Sequence, residues 1–213
     1  MEKYLGGMEL WDRAVGILRE FLLEIGQPYG EGVGEAAFYG PKIDFIARDA
    51  IGREWQLATI QVDFNLPERF GLEYTDVDGT KKRPAMVHRA ISGSIERFLS
   101  VLIEHYEGAF PFWLAPVQVR LATVSDEAVP FAQRVLAELI DANVRAELDD
   151  SSEKVGKKVR ASALQKIPWT VVIGKKEAEG GALTVNVFGQ EEDRTIEPGD
   201  FVREAQKAAR FPS

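Results

Sequence analysis

The chain has 213 residues, 45% of them hydrophobic, with 26 basic and 34 acidic side chains giving a net charge of −8. It has no cysteine, which excludes disulfides and thiolate metal sites within the chain, and no apolar run nears the ~18–20 residues of a membrane-spanning helix. The acidic balance argues against broad attraction to nucleic acid, and Met1-Glu2-Lys3-Tyr4 opens without the apolar core of a signal peptide, compatible with a reducing, cytoplasmic setting.

Trp11, Ala14, Val15, Leu18, Phe21, Leu22 and Ile25 recur at helical spacing, and Gly26 supplies a stop. A β-rich stretch follows. Ala37-Phe38-Tyr39 leads through Gly40-Pro41 into a strand at Lys42–Arg48, where Ile43, Phe45 and Ala47 alternate with polar residues. Asp49-Ala50-Ile51-Gly52 reads as a turn and Arg53–Val62 as the returning strand. Asp78-Gly79 marks another turn, Pro84–His88 a short strand, and a helix follows from about Ser92. Pro111, Pro116 and three aromatics interrupt the periodicity between Gly108 and Pro116, which places a domain boundary there.

Beyond it strands and helices alternate. Val117–Val124, Val144–Leu148, Trp169–Ile173 and Leu183–Phe188 read as strands, the last two joined across Gly180-Gly181. Ser125 is placed to cap a helix carrying Phe131, Val135, Leu136 and Leu139. Ser151 or Ser152 is placed to cap one carrying Val155, Val159 and Ala163. A last helix carries Phe201, Val202, Ala205 and Ala208. The pattern is an α/β domain with a mixed sheet.

The chemistry-bearing residues concentrate in Met86–Arg97, where a histidine, a glycine turn and an arginine meet at a strand-to-helix junction. Free N–H groups and the helix dipole favour anions at such a junction. His88 and His105 are the only histidines, and with no cysteine they form no zinc motif. On residue type alone His88 reads more readily as structural than as a ligand. Arg97 suits either a surface ion pair or a fork on phosphate. Gln56 and Gln61 suit a polar ligand or a solvated face. Five positions apart, they point to opposite sides of a regular strand, so a shared site requires a bulge or an early strand end. From Glu153 to Lys176, seven basic residues stand against one acid, which reads as a local basic surface or as a solvated helix face.

In order and spacing, Phe38-Tyr39-Gly40-Pro41-Lys42-Ile43-Asp44, Trp55-Gln56, His88-Arg89-Ala90, Gly93-Ser94-Ile95-Glu96-Arg97-Phe98 and Trp113-Leu114-Ala115-Pro116-Val117-Gln118-Val119 form a set. With these words the chain resembles the C-terminal part of bacterial threonyl-tRNA synthetases, which are class II enzymes. The resemblance implies an α+β fold class: residues 1–110 as the end of an antiparallel-sheet catalytic domain, and 111–213 as an α/β anticodon-binding domain. It implies a ligase that joins threonine to ATP, with Mg, as an adenylate and passes the acyl group to tRNA(Thr). By that resemblance Arg97 contacts ATP and is the catalytic residue, and Tyr39, Lys42, Gln56, Gln61 and Ser94 line the threonine and adenylate pocket. His88 becomes one of three ligands to a zinc that holds threonine. Glu153-Lys154, Gly156, Lys158 and Arg160 match the family's Glu-Lys-x-Gly-x-Lys-x-Arg word. Together with Lys166 and Glu177 they are expected to face tRNA, although Lys166 and Asn186 stand where bacterial relatives often carry arginine.

The first two class II motifs, the other zinc ligands and an editing domain have no counterpart in the sequence. The expectation is therefore a fragment without a complete active site, from a protein that is cytoplasmic and homodimeric at full length. The alternative is a non-catalytic RNA-binding module that reuses the anticodon domain.

Overall fold

Residues 7–212 are described by a computed structural model, in which the chain separates into two units between His105 and Tyr106. The first begins with helix α1, Met8–Glu24. Its end is closed by Gly26 N–H on the Leu23 carbonyl and Gln27 N–H on that of Leu22. Strands β1 (Lys42–Arg48) and β2 (Glu54–Asp63) form an antiparallel hairpin. Asp49 ties the turn, its Oδ1 accepting from the backbone N–H of Ile51 at 3.1 Å and of Arg53 at 2.8 Å. A short helix α2 (Asn65–Arg69) and a two-stranded ribbon, β3 (Tyr74–Thr75) and β4 (Lys81–Lys82), lead to β5 (Met86–Ala90). The sheet order is β1-β2-β5, all antiparallel, and helix α3 covers Ile95–His105.

The second unit is built on a five-stranded sheet with order β10-β9-β8-β6-β7. Strands β6 (Val119–Thr123), β7 (Ala146–Asp149) and β8 (Trp169–Ile173) are parallel. Their crossovers are helices α4 (Val129–Asp141) and α5 (Val155–Leu164). A four-residue helix α6 (Lys175–Ala178) precedes β9 (Leu183–Val187) and β10 (Arg194–Ile196), both antiparallel to their neighbours, and α7 (Pro198–Ala208) ends the unit. Side chains alternate across the sheet. Val119, Leu121, Val171, Ile173, Leu183 and Val185 pack with Leu139 of α4 and Phe201 of α7 in one apolar core. Residues of the other parity include a buried Arg120, whose guanidinium reaches Gln165 and Ser162 at and beside the end of α5.

Both serine caps expected from the sequence give way to other arrangements. Ser125 precedes a 3-10 turn, Asp126–Ala128, and makes no side-chain cap, so α4 starts only at Val129. The N-cap of α5 is Lys154, because the Ser151 hydroxyl and N–H are both taken by the Asp149 carboxylate. Among the described residues no helix is long and apolar enough to cross a membrane.

Burial divides the units sharply. Among the described residues the first unit buries only Ala14, Pro41 and Pro67 of its apolar side chains, and leaves Leu10, Ile17, Phe21, Phe45 and Val87 exposed. Apolar burial at roughly 25 cal/mol per Å² is the main stabilising term, so the second unit holds most of it. Residues 106–213 alone should melt in one cooperative transition, and Phe201→Ala should cost them about 3–5 kcal/mol in a urea titration. Residues 1–105 alone should bind the dye ANS and melt without a sharp midpoint. A sharp, dye-free melt of that piece would contradict the contrast in burial.

Candidate functional site

The register of β1 against β2 shifts between Phe45, opposite Ala58, and Ile46, opposite Gln56, so Leu57 is an extra residue in β2. This bulge answers the objection raised by the five-residue spacing. Lys42, Asp44 and Ile46 pair with Gln61, Thr59 and Gln56, which places both glutamines on one face. Across β5, Gln61 pairs with His88. A cleft of about 700 Å³ is lined by Lys42, Gln56, Thr59, Gln61 and His88, with Glu35, Ala37 and Arg89 beside them.

The side chains in this cleft hold one another. Tyr39 donates its hydroxyl to Gln61 Oε1 at 2.9 Å and sets its ring edge-on to His88, 6.3 Å between centroids. Asp44 is the hub of the other half. It pairs with Lys42 through Oδ2, and its Oδ1 accepts from Gln56 Nε2 at 2.6 Å and Thr59 Oγ1 at 2.8 Å. Gly40 lets the chain pass against β2, since a Cβ there would meet the Val62 carbonyl oxygen at 1.7 Å.

His88 Nε2 lies 2.8 Å from Oδ2 of Asp63, a buried carboxylate that also accepts from the N–H groups of Asn65 and Leu66. Burial alone would raise the Asp63 pKa. The hydrogen bond from His88, the two backbone N–H groups and the histidine's charge outweigh it and hold the group below the usual carboxylate range. An ionised Asp63 only accepts, so Nε2 carries a proton, and the ring's other nitrogen, Nδ1, is directed away from the carboxylate. The side chain is 41% exposed. One ligand of the metal-binding type is thus oriented by a buried acid. Among the described residues no group of three or more His, Asp or Glu could hold a metal.

Ser94 and Arg97 do not line the cleft; they stand at the start of α3, and of the two Arg97 touches the bulged stretch of β2. Ser94 Oγ accepts from Arg97 N–H at 3.3 Å and donates to Glu96 at 2.8 Å. Arg97 Nη1 donates to the Gln56 carbonyl at 2.9 Å, and its guanidinium lies 6.0 Å from the Trp55 ring centroid. Gly93, at φ +53°, sits against the bulge, where a Cβ would fall 2.7 Å from the Leu57 carbonyl oxygen.

In the second unit the basic word does not form one surface. Lys154 and Arg160 are exposed, and Lys157 pairs with Glu153 at 2.6 Å. Lys158 departs from the expectation of a surface contact: it is buried, with its ammonium on the Thr123 and Asp149 carbonyls. Lys166 sits at φ +55° past the end of α5 and gives its ammonium to the Glu107 carbonyl. Glu177 accepts from Gly174 N–H at 2.9 Å and so caps α6. Asn186 donates to Asp193 at 2.9 Å. Sequence reading passed over Asp44, Thr59 and Asp63. The signal available was an acid or hydroxyl at the same parity as a candidate ligand in paired strands.

The family model for the tRNA synthetase class II core domain (G, H, P, S and T) matches residues 2–106, and that for the anticodon-binding domain matches 118–208. The threonine–tRNA ligase of Synechocystis sp. is 53% identical over 184 residues, 86% of this chain and 30% of the relative. That of Solidesulfovibrio magneticus is 54% identical over 186 residues, 87% and 29%. The chain spans about 30% of the length of the curated relatives it matches. The crystallised RNA-binding domain of threonyl-tRNA synthetase from Cryptosporidium parvum Iowa II superposes with a TM-score of 0.88 at 35% identity, covering 99% of this chain and 53% of that one. Prolyl-tRNA synthetase from the same genus and species, complexed with L-proline and AMP, shares the fold at a TM-score of 0.63 and 19% identity, over 93% and 49%.

Two predictions follow from the first unit's geometry. Asp49 also accepts from Trp55 Nε1 at 2.9 Å and from Arg53 Nε. Burial would raise its pKa, but the Trp55, Arg53 and backbone hydrogen bonds, with the Arg53 charge, bring it down from 3.8 to about 2. A lowered acid contributes stability that is full above its ordinary pKa of 3.8 and lost as pH falls through about 2. The Trp55 indole N–H signal in NMR should hold its position from pH 7 to near 3 and move only on approach to 2; movement centred near 4 would refute the assignment. Gly93→Ala should speed amide exchange at Gln56–Thr59 by about tenfold or more, because strain of ~1–3 kcal/mol falls on the bulge. Unchanged exchange would show that the close approach is dispensable.

Proposed function

The chain belongs to the threonine–tRNA ligase family, and from that premise we propose that it serves as the C-terminal part of a ligase charging tRNA(Thr) with threonine. The observation that carries this reading is the gathering of Lys42, Gln56, Gln61 and His88 on one face by the Leu57 bulge, with Tyr39 hydrogen-bonded to Gln61. Neutral amides and a phenol can surround an amino acid's polar groups without burying net charge. In this reading Arg97 meets ATP. One of its Nη groups is spent on the Gln56 carbonyl, and the remaining guanidinium donors stay available for a phosphate. Such preorganised donors stabilise charge that develops at the α-phosphate during adenylation, with Mg accompanying the ATP.

His88 fits the role of one zinc ligand, since its Nδ1 is directed away from the acid that holds Nε2. Zinc bound there with two further ligands would supply a Lewis-acidic seat for the threonine amino and hydroxyl groups, and valine would leave that seat unsatisfied. Lys154 and Arg160 are the exposed cations proposed to meet tRNA, with Glu153, Lys166 and Glu177 shaping the surrounding surface. The full-length protein is proposed to be cytoplasmic and homodimeric.

The second reading, an RNA-binding module without catalysis, is favoured by one observation: the second unit alone has a full apolar core. One set of measurements separates the two. With a single candidate metal ligand among the described residues, these 213 residues should give no threonine-dependent pyrophosphate exchange. Supplying the remainder of the class II core as a second polypeptide should restore exchange for the ligase and leave it absent for the module. Under either reading tRNA(Thr) should bind residues 106–213 in a salt-sensitive manner, and Arg160→Ala should weaken that binding several-fold, by roughly 1 kcal/mol. Exchange by the unaided chain would refute the incomplete site; equal binding by the variant would remove Arg160 from the interface.

A further inference from the structure

Lys158 heads the largest fully buried side chains among the described residues, with 1% of its side chain exposed. A primary ammonium is costly to bury unless its protons are met. Here Nζ donates at 3.0 Å to the carbonyl of Thr123, the last residue of β6, and at 3.0 Å to that of Asp149, the last of β7. The Asp149 carboxylate balances its charge, with Oδ1 3.8 Å away. That same oxygen takes Ser151 Oγ at 2.6 Å and Ser151 N–H at 3.2 Å, so the loop entering α5 joins the same knot. The β6–β7 ladder ends at the Ala122–Asp149 pair, which makes the lysine the clasp where strand pairing stops.

Helical geometry fixes what the clasp controls. Residues two apart on a helix lie about 200° round its axis, so with Lys158 inward Arg160 must face out. The Arg160 side chain is exposed and makes no hydrogen bond or ion pair among the described residues. Lys154, at the N-cap, is likewise exposed. We propose that Lys158 is a positioning residue for RNA binding: it touches no RNA, and it locks the start of α5 to the ends of β6 and β7 so that Lys154 and Arg160 are presented in fixed geometry. This rests on the RNA-facing reading of the second unit and assigns Lys158 a part in it different from that of its neighbours in the basic word.

The test uses the whole 213-residue chain and a tRNA(Thr) transcript, titrated at several salt concentrations below the onset of melting. Lys158→Met should raise Kd about three- to tenfold through lost preorganisation, and leave the slope of log affinity against log salt as in the unaltered chain. Arg160→Ala should reduce that slope by about 0.7–0.9, the signature of one lost phosphate contact. A slope reduced equally by Lys158→Met would make Lys158 a direct contact and overturn the proposal. An unchanged Kd for the folded variant would leave only a structural role and overturn it as well. Amine acylation of the unaltered chain needs no folded variant: Lys158 should resist reagent with or without tRNA, whereas Lys154 should react when free and be protected when bound. A Lys158 that reacts when free and is shielded by tRNA would refute the clasp. Absence of tRNA binding by the unaltered chain would overturn the underlying RNA-facing reading, and this proposal with it.

Discussion

A single extra residue in β2 governs the polar face of the first unit. Without the bulge at Leu57 the side-chain period of two would send Gln56 to the face opposite Thr59 and Gln61. With it, three strands contribute to one row after another: Lys42, Gln61 and His88, then Asp44 and Thr59, then Gln56. A bulge also disturbs the ladder, and here the Gln56 carbonyl is taken by Arg97. The same residue that the family resemblance puts against ATP thus stabilises the irregularity that assembles the polar face of the cleft. Gly93 makes the arrangement possible by leaving room for the Leu57 carbonyl. Threonine and phosphate recognition, as proposed, would share one backbone feature.

This first unit has an ordered polar face and little apolar burial of its own. Its cleft is held by the Asp44 hub, the Tyr39–Gln61 bond and the Asp63–His88 pair. Hydrogen bonds of this kind are worth about 0.5–1.5 kcal/mol each net, so they fix geometry more than they supply stability. The second unit reverses the emphasis. An apolar layer between the sheet, α4 and α7 stabilises it, while the α5 side of the sheet carries Arg120 and Lys158 in satisfied polar networks.

What the sequence disclosed followed the regular periods. The strand at Lys42–Arg48 and that at Trp169–Ile173 stand where alternation and β-branched runs placed them. The helix with Trp11 and Leu18 ends near Gly26, and the Asp78-Gly79 turn joins β3 to β4. Elements below the reach of any period went unread: the five residues of α2, the four of α6 and the three of β10. The bulge was recognised as a requirement and could not be located, because an insertion of one residue leaves no compositional mark. The cap expected at Ser151 failed because Asp149 holds that hydroxyl, and the one at Ser125 because a 3-10 turn intervenes before α4. Lys158 was hidden inside a charge run, although Val155, Lys158 and Ser162 fall on one helical stripe, the inward one.

Long cations bonded to backbone carbonyls recur through both units, and counting their remaining donors separates scaffold from interface. Arg145 spends two groups on the carbonyls of Ala115 and Trp113, which fixes the entry to the second unit's sheet. Lys158 spends its ammonium on two carbonyls beside a carboxylate, leaving nothing for a ligand. Arg97 spends one Nη of a five-donor fork and remains exposed. A guanidinium can therefore be anchored and still bind an anion, whereas a buried ammonium is consumed by its anchoring. That difference in valence explains why a lysine serves as the clasp under α5 while an arginine stands at the junction of β2 and α3, where the proposed ATP contact would ask both orientation and phosphate binding of one side chain.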